Sequence, residues 1–518
     1  MVLKSFGLLT ARRLSNLRSN ILSNLLGQCW VALIQLIALP LYIKLLGIEE
    51  YGLIAFYVTL QATIQAFDFG LGATLNRELA RLGAVPGQAR KIHDTVRTIK
   101  LSFLGIIVVI GAALYILAPI LSGDVIKSDG LAMDTVTHAV QLMVVLLPIQ
   151  WAAGVCQGGL MGLEKQVLVN GLRVTFATVN TGVALLLLYF VSGTLATFFW
   201  WQIIASSVYL LTVFLILHRS LPEAPDVKPT FRMDILRELR GFVAGMGSIS
   251  IAGIVFAYLD RWILITLADL KTFGYYSVAV VVANALYYVI TPIFNALFPR
   301  FTVLVAQGQY ADLVKLYALG TQFMVGLVIP ISIIVSLFSH EILLLWTRNP
   351  ALAAEAAPIA SILVLGTALN GIMNLPFAIQ LASGWMRMSL SLVVGLIVVF
   401  VPTSIALTMH LGGIGCAAAW FLLNALYFVI GSYVTHRQIQ AELVQGWFSR
   451  NVLPGVVAAV AVALPIKVFY PEQVTPVSEL MIVGIATALA ILSACFAGAE
   501  SRRWILARVA SIHTAKSS

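Results

Sequence analysis

The sequence predicts an all-α integral membrane protein with about fourteen transmembrane helices. Three observations predict this fold class. The chain of 518 residues is 60% hydrophobic and only 10% charged, whereas soluble domains carry about 25% charged residues. Apolar runs of about 20 residues, the length that spans a bilayer, recur along the whole chain. The connections between these runs alternate between basic and non-basic, as in polytopic membrane proteins.

The apolar runs define the predicted spans in chain order. The first follows a basic segment, Lys4 to Arg18, and is too long for the core of a cleavable signal, which has about 7–15 residues, so we interpret it as an uncleaved span. Clusters of Pro, Gly and charged residues separate the later runs. The predicted spans are residues 21–45, 51–76, 98–122, 136–162, 167–191, 195–217, 241–267, 273–299, 317–340, 356–383, 388–409, 412–435, 451–470 and 478–498.

The distribution of lysine and arginine orients these spans. With the N-terminus inside, nearly all basic residues fall in segments that face the cytoplasm, which predicts that both termini are cytoplasmic. This bias also accounts for the net charge of +10 without a nucleic-acid partner. The exceptions are Lys44, Lys127, Lys271, Arg348 and Lys467 in outer connections, and Arg261 within a span.

Three pairs of similar segments recur 220 to 222 residues apart, in matching spans. They are LLGIEEYG (Leu45 to Gly52) with LADLKTFG (Leu267 to Gly274), Gly162 with Gly384, and GTLATFFW (Gly193 to Trp200) with GIGCAAAW (Gly413 to Trp420). A constant offset indicates a duplicated six-helix unit. Because six is even, the two copies enter the membrane in the same orientation.

The duplication predicts the domain organisation. Residues 1–220 form an N-lobe of six spans, residues 221–240 a cytoplasmic linker, and residues 241–437 a C-lobe of six spans. Residues 438–518 hold spans 13 and 14 and a cytoplasmic tail. The linker's second half, Met233 to Arg240, is predicted as a short amphipathic helix on the membrane surface.

Polar residues follow one face of several spans. In span 2 the residues Gln61, Gln65, Asp68 and Gly72 have spacings of four, three and four, which places them on one helix face. Span 8 repeats the spacing, and shorter polar pairs occur on spans 4, 5 and 10. The further residues are Asn284, Tyr288, Thr291 and Asn295 on span 8, Gln150 and Gln157 on span 4, Arg173 and Asn180 on span 5, and Asn370 and Asn374 on span 10.

Two interpretations of these polar residues stay open. Amides within a membrane join helices to one another, at about 0.6–2 kcal/mol each. Because several helices in both lobes share the pattern, a polar cavity between the lobes is the other interpretation. Tryptophan is either an interfacial anchor or a stacking surface for a sugar. The tryptophans concerned are Trp151, Trp200, Trp201 and Trp385.

Charges within spans are candidates for ion coupling, because an acid at the bilayer centre costs at least about 2.5–3.5 kcal/mol. Asp68 either lines the transport pathway or pairs with Arg77 or Arg173 to fix helix packing. Asp260 and Arg261 lie near the outer end of span 7. They point about 100° apart on a helix, so each needs a partner elsewhere or water.

No signature of catalysis or of a cofactor is visible in the sequence. The four cysteines are single residues in apolar segments, without the spacing of a metal site. A phosphate-binding glycine loop is also missing. We therefore predict a protein that is not an enzyme and that has no cofactor or metal.

Four segments carry a resemblance to a known family. They are LPLYIKLLGIEEYGLIAFY (Leu39 to Tyr57), FDFGLGATLNRELAR (Phe67 to Arg81), LDRWILITLADLKTFGYYSVA (Leu259 to Ala279) and TPIFNALFPRF (Thr291 to Phe301). With them the chain resembles the polysaccharide-transport branch, the Wzx-type O-antigen flippases, of the MOP exporter superfamily. The resemblance implies two MATE-like six-helix lobes that alternate around a central cavity.

The resemblance also implies a function. Such proteins move an undecaprenyl-pyrophosphate-linked oligosaccharide to the outer leaflet of the bacterial inner membrane for O-antigen or exopolysaccharide synthesis. The implied partners are that lipid-linked oligosaccharide, membrane lipid, a coupling ion (H⁺ or Na⁺) and the polysaccharide polymerase machinery. The family's cavities are cationic, whereas Arg173 is the one basic candidate near the cavity in this sequence.

Two other functions compete with this one. A cation-coupled multidrug antiporter of the same superfamily shares the lobes, but the fourteen spans and the Asp68 segment favour the flippase. A polytopic glycan polymerase or ligase would carry a large outer loop with acidic, arginine or histidine groups. The outer connections here are short, the longest running from Ser122 to Asp134.

Overall fold

The computed structural model describes residues 23, 26–66, 71–223, 229–439, 446–471 and 475–516, and no strand occurs in them. The helices are α1 (Leu26–Leu46), α2 (Ile48–Ala66), α3 (Leu71–Gly83), α4 (Ala89–Ile120), α5 (Met133–Gly162), α6 (Gln166–Phe190), α7 (Leu195–Arg219), α8 (Met233–Leu267), α9 (Leu270–Asn284), α10 (Tyr287–Ala306), α11 (Tyr310–Leu337), α12 (Ser339–Thr347), α13 (Pro350–Ala382), α14 (Met386–Leu426), α15 (Ser432–Ile439), α16 (Leu453–Val468), α17 (Pro476–Ala497) and α18 (Ala499–Lys516).

The prediction of an all-α membrane protein is confirmed. Among the described residues, 11 helical segments are long and apolar enough to cross a membrane. Each of the fourteen predicted spans overlaps a described helix. The lower number has three causes. Spans 11 and 12 share one continuous segment, and span 7, in α8, is outside the set. Residues 67–70 of span 2 lie outside the described residues, so the described parts of this span, α2 and α3, are taken separately and neither is in the set.

Helix boundaries follow local chemistry. Thr194 begins α7 by accepting a hydrogen bond from the backbone N–H of Thr197, and Asn349 begins α13 in the same way with the N–H of Leu352. Side-chain oxygens at this position satisfy backbone donors that have no partner within the helix. Pro350, which follows Asn349, has the fixed φ that suits a first helical turn. The break between spans 11 and 12 lies at Gly412, whose φ of 56° only glycine adopts readily.

Two details differ from the sequence prediction. The proposed surface helix at residues 233–240 is not separate, because α8 runs without interruption from Met233 to Leu267. Span 8 is divided after Asn284, where α9 ends and α10 starts at Tyr287. Residues 285–286 are Ala and Leu, which favour helix, so their sequence gives no sign of the break.

The described helices group into two compact units, Met1–Lys271 and Thr272–Ser518. In the first unit α3 packs closely on α5. A Cβ on Gly158 would lie 2.5 Å from the carbonyl oxygen of Gly72, and one on Gly162 would lie 2.4 Å from that of Asn76. Two glycines four residues apart on one face permit such an approach of two helix backbones.

Residues 224–228 of the linker lie outside the described residues, and the residues that directly follow them, 229–232, run along α4. The carboxylate of Asp94 accepts hydrogen bonds from the backbone N–H of Thr230 at 2.7 Å and from its hydroxyl at 3.3 Å. The hydroxyl of Thr98 accepts one from the N–H of Arg232 at 3.0 Å. Asp94 and Thr98 are both buried, so α4 determines the path of the linker into α8.

In the second unit the last two spans pack on α11. A cluster of fully buried side chains joins Ile334 and Phe338 to Ala463 of α16 and Ala486 of α17. The side chain of Gln322 in α11 accepts hydrogen bonds from the backbone N–H groups of Glu500 and Ser501, which open α18. The C-terminal helices are therefore an integral part of this unit.

The chain reversals after α5 and α13 show the duplication in the backbone. The N–H of Lys165 donates to the carbonyl of Leu160, and the N–H of Trp385 donates to that of Gln380, 220 residues later. Each reversal contains one residue with positive φ, Glu164 at 59° and Gly384 at 74°. The pairing of Gly162 with Gly384 was therefore wrong, and Glu164 is the structural counterpart of Gly384.

Candidate functional site

A polar cavity of about 550 Å³ lies within the first unit, among α2, α5, α6 and α7. We call it the amide cavity, after the four glutamine side chains in its wall. Arg173, a serine and several aromatic side chains complete the lining. The principal side chains are Gln61, Gln65, Gln150, Trp151, Gln157, Arg173, Phe176, Ser206 and Tyr209.

Gln150 organises the wall of the amide cavity. Its Oε1 accepts hydrogen bonds from the hydroxyl of Tyr57 and from the side-chain amide of Gln61. Its Nε2 donates to the hydroxyl of Ser206 at 3.1 Å. One amide therefore joins α2, α5 and α7, and its orientation is fixed because both its donor and its acceptor are used.

Arg173 supplies the positive charge of the amide cavity. It lies on α6 and donates a long hydrogen bond of 3.4 Å to Oε1 of Gln157. In the part of the chain that the structure describes, no carboxylate forms an ion pair with Arg173. A guanidinium presents several donors in one plane, the geometry that suits carboxylate and phosphate.

Aromatic side chains form another part of the wall. The rings of Phe176 and Tyr209 stack with centroids 4.3 Å apart. Trp151 also lines the cavity but is 5% exposed, and its ring packs edge-on against Phe103. Of the four tryptophans considered from the sequence, Trp151 is the one in this wall. Flat rings beside amides and a guanidinium are a common surface for a sugar.

Asn180 lies outside the lining of the amide cavity. Its Nδ2 donates to Oε1 of Gln202 at 2.9 Å, and its backbone carbonyl accepts from the indole N–H of Trp201. Both partners are on α7. These contacts are those of an amide that joins two helices.

All four polar residues predicted on span 8 are exposed. Asn284 is the last residue of α9, whereas Tyr288, Thr291 and Asn295 are on α10. The helix break between Asn284 and Tyr288 means that these four residues do not form one continuous helical stripe. The three residues on α10 keep the spacing that places them on one face.

Asn370 and Asn374 take part in a hydrogen-bond network of the second unit. Oδ1 of Asn370 accepts from the hydroxyl of Tyr287 at 2.9 Å, and its Nδ2 donates to Oδ1 of Asn424 at 2.8 Å. Asn374 donates to the backbone carbonyl of Asn370. The network joins α10, α13 and α14, so these amides have the contacts of helix-joining groups.

The three coupling candidates have different surroundings. Asp68 lies outside the described residues. Asp260 is 5% exposed on α8, and the guanidinium of Arg261 lies over the ring of Tyr258, 4.4 Å from its centroid. Next to them, the indole of Trp262 donates to the hydroxyl of Thr63 at 2.9 Å, which ties α8 to α2.

The structure therefore brings Gln61, Gln65 and Arg173 together on one cavity. Tyr57, Phe176, Ser206 and Tyr209 were missed from the sequence. Each is a single aromatic or hydroxyl residue in an apolar helix, where the pattern cannot distinguish a cavity wall from helix packing. The spacing of seven between Gln150 and Gln157 on α5 was the available signal.

Comparison with known proteins agrees with this architecture. A family model described as "Polysaccharide biosynthesis protein" matches residues 17–305. Comparison with curated protein sequences gives no match. Among solved structures, the chain is similar to the lipid II flippase MurJ in an inward closed conformation, with a TM-score of 0.71 and 13% identity. That match covers 92% of this chain and 98% of the other.

Two multidrug transporters are also similar in structure. An inward-facing MATE family transporter of the MOP superfamily has a TM-score of 0.63 at 14% identity, covering 80% of this chain and 96% of the other. The MATE multidrug transporter DinF-BH has a TM-score of 0.58 at 15% identity, covering 85% of this chain and 96% of the other. At such identities the likeness shows a shared fold.

Proposed function

This chain belongs to the polysaccharide biosynthesis protein family, and from that membership we propose that it is a flippase for a polyprenyl-(pyro)phosphate-linked oligosaccharide. It carries this lipid from the inner to the outer leaflet of a bacterial cytoplasmic membrane, for O-antigen or exopolysaccharide synthesis. Both termini lie in the cytoplasm. The multi-pass membrane fold and the family support this proposal.

The observation that carries the proposal is the composition of the amide cavity. A sugar offers hydroxyl groups and flat apolar faces, and amides and stacked rings are suited to bind both. Arg173, which has no carboxylate ion pair in the described part of the chain, is suited to bind a phosphate oxygen. Gln61 and Gln65, which line this cavity, contact the glycan in this proposal.

Transport proceeds by alternating access between two lobes, coupled to an ion gradient. Asp68, Asp260 and Arg261 are the proposed coupling residues, because ionisable groups within spans are costly and are kept for function. The buried position of Asp260 supports its inclusion. For Asp68 the proposal rests on its place in the sequence of span 2.

A cation-coupled multidrug antiporter is the second candidate, supported by the similarity in fold to MATE transporters. Depletion of the protein in its host, followed by lipid analysis, separates the two functions. We expect one lipid-linked oligosaccharide to accumulate on the cytoplasmic leaflet. An unchanged lipid profile together with altered drug sensitivity would instead support the antiporter.

Complementation then tests the cavity. Arg173→Gln should fail to relieve the accumulation, while Arg173→Lys, which keeps the charge but loses the planar fork, should relieve it in part. Lys165→Gln is the matched control, because Lys165 is exposed and directly precedes the same helix. Full relief by Arg173→Gln would contradict a role for the amide cavity in binding the substrate.

A further inference from the structure

A second cavity of the first unit lies against another face of α5, with Val155 in the walls of both cavities. Ile149, Ala152 and Cys156 line it, whereas Gln150 and Gln157 line the amide cavity. This apolar groove has a volume of about 470 Å³ and is bounded by α3, α4, α5 and α7. Its other walls are almost entirely aliphatic and aromatic.

A basic pocket of about 390 Å³ adjoins one end of the apolar groove. His93, Arg97 and Lys100 reach it from α4, and His218 reaches it from the end of α7. Lys100 and His218 line both spaces, so the pocket and the groove are continuous. We call this pocket the basic mouth.

The cations of the basic mouth are available to a ligand. Arg97 and Lys100 are exposed, and within residues 26–66, 71–223 and 229–271 neither forms an ion pair with a carboxylate. Lys100 lies over the ring of Phe214, with its Nζ 5.1 Å from the centroid. That contact holds the ammonium at the junction with the groove.

The histidine of α7 adds a donor or acceptor at the same place. Nδ1 of His218 lies 2.9 Å from the backbone carbonyl of Phe214. Because a carbonyl only accepts, Nδ1 carries a proton and donates. His218 lines the basic mouth, and Nε2 is its second ring nitrogen available for a hydrogen bond.

We propose that the apolar groove and the basic mouth form a binding site for an anionic phospholipid of the cytoplasmic leaflet. One acyl chain lies in the groove and the phosphate binds Lys100 and Arg97. The groove follows α4 from Lys100 to Ile107, a rise of about 10 Å. Its residues Leu101 and Leu104 are exposed apolar side chains, and in this proposal the lipid enters between them from the bilayer.

Charge and position select this occupant. The basic mouth is on the side that we assign to the cytoplasm, where anionic lipids give the membrane surface a negative potential. A zwitterionic lipid has a phosphate but also a cation of its own, which Arg97 and Lys100 repel, and a free phosphate would leave the groove uncovered. Val155 of α5 lines both this site and the amide cavity, and in this proposal the bound phospholipid is distinct from the transported substrate.

Native mass spectrometry of the full-length protein, released from bilayers of phosphatidylcholine and phosphatidylglycerol, tests the proposal. We expect retained phosphatidylglycerol on the wild type, and about thirtyfold weaker retention after Arg97→Gln with Lys100→Gln, from about 1 kcal/mol per basic residue near the surface. The control is Lys165→Gln with Arg437→Gln, which removes the same charge from exposed sites outside the groove.

A second variant tests the role of the apolar groove without a change of charge. Ala152→Phe fills the groove and leaves the basic mouth intact, so it should also reduce retention, and a monodisperse elution profile confirms its fold. Equal retention by the Arg97/Lys100 variant and its control would overturn the proposal. Displacement of phosphatidylglycerol by inorganic phosphate alone would show an ion site, and displacement by one polyprenyl phosphate would show a carrier site. Either result would also overturn it.

Discussion

The side-chain amide of Gln61 in α2 donates a hydrogen bond to Oε1 of Gln150 in α5, and this oxygen also accepts one from the hydroxyl of Tyr57. This shared acceptor sets the shape of the amide cavity. A polar group in the wall of such a cavity has two roles, since it orders its neighbours and presents its remaining capacity to a ligand. The first prediction separates these roles.

Gln150→Leu should lower transport strongly and stability only slightly. Interhelical hydrogen bonds in membranes are worth about 0.6 kcal/mol on average, so the loss of stability should be about 1–2 kcal/mol. Thermal unfolding in detergent and cellular accumulation of the lipid-linked oligosaccharide measure the two effects. Gln28→Leu, at an exposed position on α1, is the control. Normal transport by Gln150→Leu would show that the network is only structural.

Gly162→Ala should destabilise the first unit by about 1–3 kcal/mol, because the added Cβ would lie 2.4 Å from the backbone oxygen of Asn76. Gly171→Ala in α6 is the matched control, since a Cβ there has no neighbour within 4 Å. The control should be neutral or up to about 1 kcal/mol more stable. Denaturant unfolding of the purified protein gives both values, and equal stability of the two variants would rule out close packing of α3 on α5.

Gln322→Leu should loosen the start of α18. The backbone N–H groups of Glu500 and Ser501 would lose their acceptor at 2.8 and 2.9 Å, so their amide exchange should accelerate and trypsin should cleave faster at Arg502. Gln322→Glu should restore protection, because a carboxylate also accepts and suits a helix N-terminus. Unchanged exchange in Gln322→Leu, relative to the exposed-site control Gln438→Leu, would contradict this capping role.

Asp68→Asn should reach the membrane in normal amount and abolish flipping, if the acid takes part in coupling. The amide keeps the size of the side chain and removes its charge, so folding should be retained. Asp134→Asn, at an exposed site in the first turn of α5, controls for loss of an acid. Normal flipping by Asp68→Asn would exclude coupling, whereas poor expression would favour a structural ion pair.

Span positions were predictable because twenty apolar residues between polar connections have few alternatives to a membrane helix. The cavity was predictable only in part. Gln61 and Gln65 follow the helix period, but Tyr209 and Ser206 are individually ordinary in a membrane helix. Asn180 and Asn370 show the opposite error. Their regular spacing indicated a cavity wall, but their side chains form hydrogen bonds between helices. Sequence spacing gives the face of a helix, whereas the neighbouring helix decides what that face meets.

The repeat was visible in sequence, but part of its register was not. Glu164 and Gly384 occupy equivalent positions with φ of 59° and 74°, although one is charged and the other has no side chain. A left-handed conformation costs a non-glycine residue about 1–2 kcal/mol. Since the two copies keep the hydrogen bonds of the reversal rather than its residues, matching glycines led to the wrong partner.

The junction of α9 and α10 is an overwound turn within a predicted span. The N–H groups of Ala285, Leu286, Tyr288 and Val289 each bond to the carbonyl three residues back instead of four. A helix with such bonds turns about 120° and rises about 2.0 Å per residue, against about 100° and 1.5 Å in an α-helix. Converting these four bonds from the three-residue to the four-residue pattern would therefore rotate α10 by about 80° relative to α9 and bring it about 2 Å closer to α9. Rotation and translation of α10 are therefore coupled in this span. Such an exchange would change the direction of Thr291 and Asn295, while each backbone N–H involved would keep a carbonyl partner.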